Sequence, residues 1–288
     1  MKLALGTVQF GLPYGIANQA GQVTRTEAKA MLQLAAANGI DTLDTAIAYG
    51  ESETCLGEAG TQGFKLVTKL PAVPDGCVDV SGWVKGQVNE SLARLGVSAV
   101  YGLLLHRSEQ LLGKDGKALY QVLQGLKEAG LVQKIGVSVY GPSELDSLIP
   151  QYRFDLVQAP FNLIDRRLAT SGWLQRLKQG DVEIHTRSAF LQGLLLMPRA
   201  LVPPKFMPWA GIWDRWHKWL AQHSVTAVQA SLAYPLSFPE IDRVVIGADN
   251  KEHLSQIIDA SLGYPVKDFP DLHCEDEKLI NPAYWSRL

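Results

Sequence analysis

The stretch Gly39-Ile40-Asp41-Thr42-Leu43-Asp44-Thr45-Ala46-Ile47-Ala48-Tyr49-Gly50-Glu51-Ser52-Glu53 moves from a glycine turn to a strand, a loop and a helix start. Asp44 closes the apolar run, and Tyr49 stands at the mouth of the loop that follows. Glu51 and Glu53 fall in the first turn of the next helix, where the positive end of the helix dipole favours carboxylates. A strand that ends on an ionisable side chain and passes directly into a helix is one β/α unit. Two more apolar runs end the same way. Phe64-Lys65-Leu66-Val67-Thr68 leads to Lys69, and Val100-Tyr101-Gly102-Leu103-Leu104-Leu105 leads to His106.

The pattern continues outward in both directions. Strand candidates are Leu3–Leu5, Thr42–Asp44, Lys65–Lys69, Val100–Leu105, Ile135–Val139, Leu156–Ala159, Val182–Thr186 and Val244–Ile246. Several are continuously apolar, as parallel strands buried on both faces are. Helix signals lie between them. Thr24-Arg25-Thr26-Glu27 reads as a capping box opening a helix through Asn38, with Gly39 as its stop. Ser81 reads as the cap of a helix to Leu95, stopped by Gly96. Leu119–Ala129 ends at Gly130, Pro142 suits a first helical turn, Thr226 caps a helix to Leu236, and Lys251–Ala260 precedes Gly263. This alternation predicts an α/β protein with a (β/α)8 TIM barrel, one domain over residues 1–288. A doubly wound sheet is the second choice. It is disfavoured because Gly6-Thr7-Val8-Gln9-Phe10-Gly11 is not the Gly-x-Gly-x-x-Gly element such a sheet carries after its first strand.

Two segments exceed a minimal barrel: Leu195–His223 and the tail from Lys267 to Leu288. Trp209, Trp213, Trp216 and Trp219 follow Pro208 at helical spacing, which predicts a helix packing an aromatic face on the barrel. A partial lid or a partner surface is the alternative.

Apolar content of 47% with 19% charged residues describes a globular core. The net charge of −2, without any basic run, speaks against a nucleic-acid surface. Cys55, Cys77 and Cys274 are too far apart for a metal-ligand set or a disulfide framework, so free thiols in a reducing compartment are expected. Met1–Gly6 turns polar and glycine-rich too early for a signal peptide, and no apolar run approaches the ~20 residues of a membrane span. A cytoplasmic protein acting on a small molecule, with no membrane partner, is the expectation.

Asp44, Tyr49, Lys69 and His106 stand at strand or loop ends, in that order. A free tyrosine, with a pKa of ~10, is a weak acid near neutrality. A nearby ammonium favours the phenolate and makes Tyr49 a usable proton donor, and Lys69 supplies that ammonium. A buried lysine needs a counter-ion, which Asp44 supplies. His106 then orients a carbonyl oxygen and shares the proton relay. Taken singly, each residue has an ordinary explanation: a helix-leading aspartate, a loop aromatic, a snorkelling lysine, a structural histidine. The conjunction of all four on one barrel rim is what points to chemistry. A metal site from Asp44, Glu51, Glu53 and His106 is a poor reading, since the helix dipole already explains both glutamates.

Asp44-Thr45-Ala46, Tyr49-Gly50 and Glu53-x-x-Leu56-Gly57, with Lys69 and His106 downstream, make the chain similar to the aldo-keto reductase superfamily from Leu5 to about Ala260. The resemblance implies a carbonyl reductase with Asp44, Tyr49, Lys69 and His106 as its tetrad and Tyr49 as the acid. It also implies a nicotinamide cofactor, NADPH in most members, lying across the rim. Gly6-Thr7 resembles the family's turn near the nicotinamide, which Asp44 also borders. Ser138 and Gln158 match the residues that hold the carboxamide, although the asparagine expected after Ser138 is Val139. After strand seven the family has an aromatic that stacks on the nicotinamide, then serine. Here Arg187 takes the aromatic's place, followed by Ser188, Phe190, Leu191 and Gly193. A guanidinium also stacks on flat rings, and its charge would repel oxidised nicotinamide. Ile246-Gly247-Ala248 fits the family's phosphate turn. The basic residue that meets the 2′-phosphate of NADPH is Asp249 here, and the adenine positions are His253 and Ile257. Lys251 is left to compensate, and NADH is an open alternative. Phe10, Ile47, Tyr49, His106 and Phe161 are the expected pocket walls for an aldehyde or ketone, sugar-like ones included. Two other classes are weighed: a cofactor-sensing scaffold on the same barrel, and a lyase or aldolase with Lys69 as a Schiff-base lysine.

Overall fold

The computed structural model describes residues 1–18, 20–263 and 266–288. Eight parallel strands close a barrel in chain order. They are β1 (Leu3–Gly6), β2 (Thr42–Asp44), β3 (Lys65–Leu70), β4 (Val100–Leu105), β5 (Val132–Ser138), β6 (Leu156–Pro160), β7 (Glu183–Arg187) and β8 (Arg243–Gly247). Gly6 of β1 pairs with Gly247 of β8, so the sheet has no open edge. The helices are α1 (Arg25–Ala37), α2 (Ser52–Ala59), α3 (Val80–Leu95), α4 (Gly116–Glu128), α5 (Pro142–Leu148), α6 (Arg167–Thr170), α7 (Trp173–Gln179), α8 (Ala210–His223), α9 (Ala227–Leu236), α10 (Lys251–Ser261) and α11 (Glu277–Ile280).

Local capping explains where the helices begin, and in three places differs from the sequence expectation. Thr24 Oγ1 accepts from Glu27 N at 3.3 Å, but Glu27 does not complete a box; its carboxylate reaches α10 and accepts from Lys251 N. Asp79, not Ser81, caps α3: its carboxylate accepts from Gly82 N at 2.8 Å, because the charged oxygen two residues earlier is the better acceptor. Glu53 is more than a dipole partner. It is buried, and its carboxylate accepts from Thr68 on β3 and from Ser91 and Arg94 on α3. The cap at Thr226, Pro142 at the first position of α5 and the glycine stop at Gly96 after α3 follow expectation, and Gln229 completes the Thr226 cap into a box.

One apolar core fills the space between strands and helices, and Val67, Leu104 and Leu156 with Tyr101 form a smaller cluster apart from it. Below them lies a polar floor. Glu183 Oε2 accepts from Tyr101 Oη at 2.6 Å and pairs with Lys134, while Glu183 Oε1 accepts from His185 Nε2 at 2.8 Å. Burial pushes the Glu183 carboxyl up, but the hydrogen bonds from His185, Lys134 and Tyr101 outweigh it and hold the group well below the carboxylate range.

The tryptophan segment is core. Trp213, Trp216 and Trp219 on α8 are buried, and their indole N–H groups donate to the carbonyls of Phe206, Leu195 and Asp268. Trp209 precedes the helix and donates to Asp276 in the tail. No described helix is long and apolar enough to cross a membrane.

Candidate active site

Side chains alternate across a parallel strand, so residues two apart share a face. Asp44, Lys69 and Gln158 therefore project into the barrel from β2, β3 and β6, near its C-terminal end. Lys69 is 1% and Asp44 4% exposed. Lys69 Nζ donates to Asp44 Oδ1 at 2.6 Å and to Thr45 O at 2.8 Å. Gln158 Nε2 donates to Asp44 Oδ2 at 2.7 Å from across the barrel. Both carboxylate oxygens are thus satisfied, as a buried charge requires. Burial pushes the Lys69 ammonium down, but the adjacent Asp44 charge, then Tyr49, outweigh it and hold its pKa above the ordinary 10.5.

Tyr49 lies above this pair. The Lys69 Nζ is 5.2 Å from its ring centroid, and one ammonium proton remains after the bonds to Asp44 and Thr45. The tyrosine is placed by a tight turn in which Tyr49 N donates to Ala46 O and Ser52 N donates to Tyr49 O. Ser52 Oγ in turn donates to Thr7 O at 2.7 Å, tying this turn to the end of β1. Gly11 must lack a side chain here, because a Cβ would sit 1.8 Å from Tyr49 O. His106 meets Tyr49 edge to face, with ring centroids 5.7 Å apart. Burial first, then the charges of Lys69 and Arg187, lower the His106 pKa to about 4. At neutral pH the ring is therefore uncharged.

These residues open into a cavity of about 590 Å³ that runs past β7 and β8 to His253, Gln256 and Ile257 on α10. Of the residues expected at a cofactor, Gly6, Thr7, Asp44, Ser138, Gln158, Arg187, Ser188, Phe190, Gly193, Ile246, Gly247 and Ala248 line it. Leu191 does not, being fully buried, and the Lys251 side chain is exposed outside it. Phe10, Ile47 and Phe161 do not form the walls either. Phe10 is 1% exposed in the core, Phe161 stacks on Tyr234 with centroids 5.2 Å apart, and Ile47 packs against the core from outside. The walls are Tyr14, Tyr140, Arg187 and Gln192 instead. Tyr14 and Gln192 come from loops with no periodicity to read. Gln192 Nε2 donates to Tyr14 Oη at 2.9 Å and Ile16 N donates to Gln192 O at 3.1 Å, so the loops after β1 and β7 clasp across the cavity. Ser188 (φ 64°) and Gln192 (φ 53°) hold left-handed backbone without being glycine, a strain of about 1 kcal/mol each; the clasp holds Gln192, and Asn162 Nδ2, donating to Ser188 O at 3.0 Å, holds Ser188.

The lining fits a nicotinamide dinucleotide. Gln9 Oε1 is buried at the wall without a hydrogen-bond partner, and Ser138 and Gln158 offer hydroxyl and amide groups to a carboxamide. At the far end, Asn250 accepts from His253 N at 2.8 Å and Glu27 accepts from Lys251 N, so the first turn of α10 is already supplied with acceptors. Burial pushes the half-buried Asp249 carboxyl up, opposed by His253 and by a hydrogen bond from Gln9.

The aldo/keto reductase family model matches residues 2–272. The chain belongs to the aldo/keto reductase family. Its barrel is similar to the holo form of aldo-keto reductase AKR11C1 from Bacillus halodurans, with a TM-score of 0.72 at 19% identity over 92% of this chain and 88% of that one. It is also similar to the glycerol dehydrogenase AKR11B4 from Gluconobacter oxydans, with a TM-score of 0.70 at 21% identity over 93% and 88% of the two chains. A search of curated proteins finds no significant match. As an aldo/keto reductase the protein is an oxidoreductase of carbonyl compounds, in a family that uses nicotinamide cofactors.

Proposed function

We propose that this aldo/keto reductase reduces an aldehyde or ketone to an alcohol with Tyr49 as the proton donor. The observation that carries the reading is the buried Lys69–Asp44 pair 5.2 Å beneath the Tyr49 ring. A reduced nicotinamide, when bound, would supply the hydride. The chain supplies the rest. Neutral His106 donates a hydrogen bond to the carbonyl oxygen, and Tyr49 gives that oxygen its proton. The charged Lys69 stabilises the negative charge that forms on the phenolic oxygen as the proton leaves. Asp44, fixed by Gln158, keeps Lys69 charged and in place. Ser138, Gln158, Gly6 and Thr7 hold the nicotinamide end, and Ile246–Ala248 the phosphate end.

NADH is the favoured cofactor. Asp249 stands where family members carry the residue that pairs with a 2′-phosphate, the Glu27 carboxylate occupies the first N–H of α10, and Lys251 is exposed and does not line the cavity. A 2′-phosphate placed there meets like charge from Asp249 and Glu27, with His253, 3.9 Å from Asp249, beside it. The test is a parallel titration with NADH and NADPH, followed by tryptophan quenching, and then multiple-turnover oxidation with model aldehydes. NADH binding at least as tightly as NADPH, with turnover, is expected. NADPH binding tenfold or more tighter overturns the cofactor choice. Binding without any turnover overturns the reductase reading in favour of a cofactor-sensing scaffold.

A further inference from the structure

Arg187 is the last residue of β7 and faces the catalytic cavity. Its Nη2 donates to Val139 O at 3.1 Å, its Nη1 donates to Ser188 Oγ at 3.4 Å, and its guanidinium carbon lies 4.8 Å from the Tyr140 ring centroid. Three of the five guanidinium N–H groups remain. Among the described residues no carboxylate lies within ion-pairing distance of it, whereas Arg94, Arg167 and Arg243 each have one.

The charges around it do not cancel. Asp44 and Lys69 neutralise one another, and His106 is uncharged at neutral pH. The remaining acidic lining residue, Asp249, sits at the opposite end of the cavity, after β8. The catalytic end therefore carries one net positive charge, on the part-buried Arg187 guanidinium. Hydrogen-bonding capacity is skewed the same way. Tyr14 Oη accepts from Gln192 Nε2, which leaves its own proton to donate into the cavity. Donors with excess positive charge are matched by an anion.

We infer that the carbonyl substrate carries an oxyanion, a carboxylate or a phosphate, which Arg187 binds with help from the Tyr14 hydroxyl. This rests on the reductase reading above and names its substrate class. The same charge disfavours oxidised nicotinamide, which is cationic, so an anionic substrate and the direction of reduction are served by one residue.

The test compares 4-oxobutanoate with butanal, and glyceraldehyde 3-phosphate with glyceraldehyde, using NADH. At least one anionic aldehyde is expected to exceed its neutral partner tenfold or more in kcat/KM, chiefly through KM. The pair that shows it identifies carboxylate or phosphate. Arg187→Gln should lower that anionic-to-neutral ratio at least fivefold, whatever it does to either rate alone, and Arg187→Lys should retain part of the preference. Wild-type reduction of butanal should also be inhibited competitively by glutarate or inorganic phosphate, which needs no variant. Neutral aldehydes reduced as well as the anionic ones, a ratio unchanged in Arg187→Gln, or no inhibition by either anion overturns the anion reading and leaves the reductase reading standing. If none of the four aldehydes is reduced with either NADH or NADPH, the reductase reading fails and this inference with it.

Discussion

Lys69 is a charge that the fold pays to bury, at 1% exposure, and every neighbour is arranged around it. Asp44 cancels it, Thr45 accepts from it, and Gln158 holds Asp44 from the opposite wall. Removing the phenolic oxygen above it tests the proton-donor role directly. Tyr49→Phe is expected to lower turnover roughly a hundredfold to ten-thousandfold, while NADH affinity, read by tryptophan quenching, is retained. Turnover close to wild type would exclude Tyr49 as the donor. The four polar residues were legible in the sequence because each closes an apolar run or the loop after one. The walls were not. Tyr14 and Gln192 reach the cavity from irregular loops, and Phe10 and Phe161 carry the aromatic character of wall residues while facing the core.

At the scale of elements, the site depends on how α2, β3 and α3 are clamped. Glu53 at the start of α2 accepts from Thr68, next to Lys69, and from Ser91 and Arg94 on α3. Gly57 one turn later allows the two helices to touch, since a Cβ there would lie 2.1 Å from Arg94 O. Glu53→Ala leaves two buried hydroxyls and a guanidinium without their acceptor. It should destabilise the protein by about 3 kcal/mol and lower Tm by roughly 6 °C, while turnover per folded molecule is retained. Denaturant unfolding and activity of the same sample check both parts; an unshifted midpoint would show that water replaces the carboxylate at no cost. From sequence, Glu53 and Glu51 looked alike, two acids in one helical turn. Only packing separates them: Glu51 stays exposed and pairs with Arg25 at 3.3 Å, and Glu53 is enclosed by two neighbouring elements.

For the whole molecule, closure of the barrel creates two polar ends with opposite tasks. In the floor around Glu183 the carboxylate is saturated by Tyr101, Lys134 and His185, with His185 Nδ1 left unpartnered, and the C-terminal end keeps unused donors for ligands. Both ends make stability depend on acid in the same direction. Unfolded, His106 takes up a proton near its ordinary 6.5; folded, it does so only at about 4, so the unfolded state binds more protons across that window and stability falls as pH drops through it. Glu183, held below its ordinary 4.5 by its hydrogen bonds, adds a further loss at lower pH, because protonating it breaks the floor. Urea unfolding across pH 6.5 to about 4 should show the midpoint falling, with His106→Gln flattening this part of the profile; equal slopes in both proteins would assign the acid sensitivity elsewhere.

The sequence by itself determined the eightfold alternation, most strand limits, and the order Asp44, Tyr49, Lys69, His106, because hydrophobic period, helix stops and strand-end residues are local properties of the chain. Tertiary structure alone decided that Glu27 serves α10 and not its own cap, that Gln158 braces Asp44 across the barrel, and that Arg187 meets Tyr140 and faces an open cavity. Among the described residues Arg187 has no carboxylate within ion-pairing distance, although Asp44 and Asp249 line the same cavity. Those outcomes depend on which residues distant in sequence are brought within a few ångströms, and that follows from barrel closure and loop packing, which no local pattern encodes.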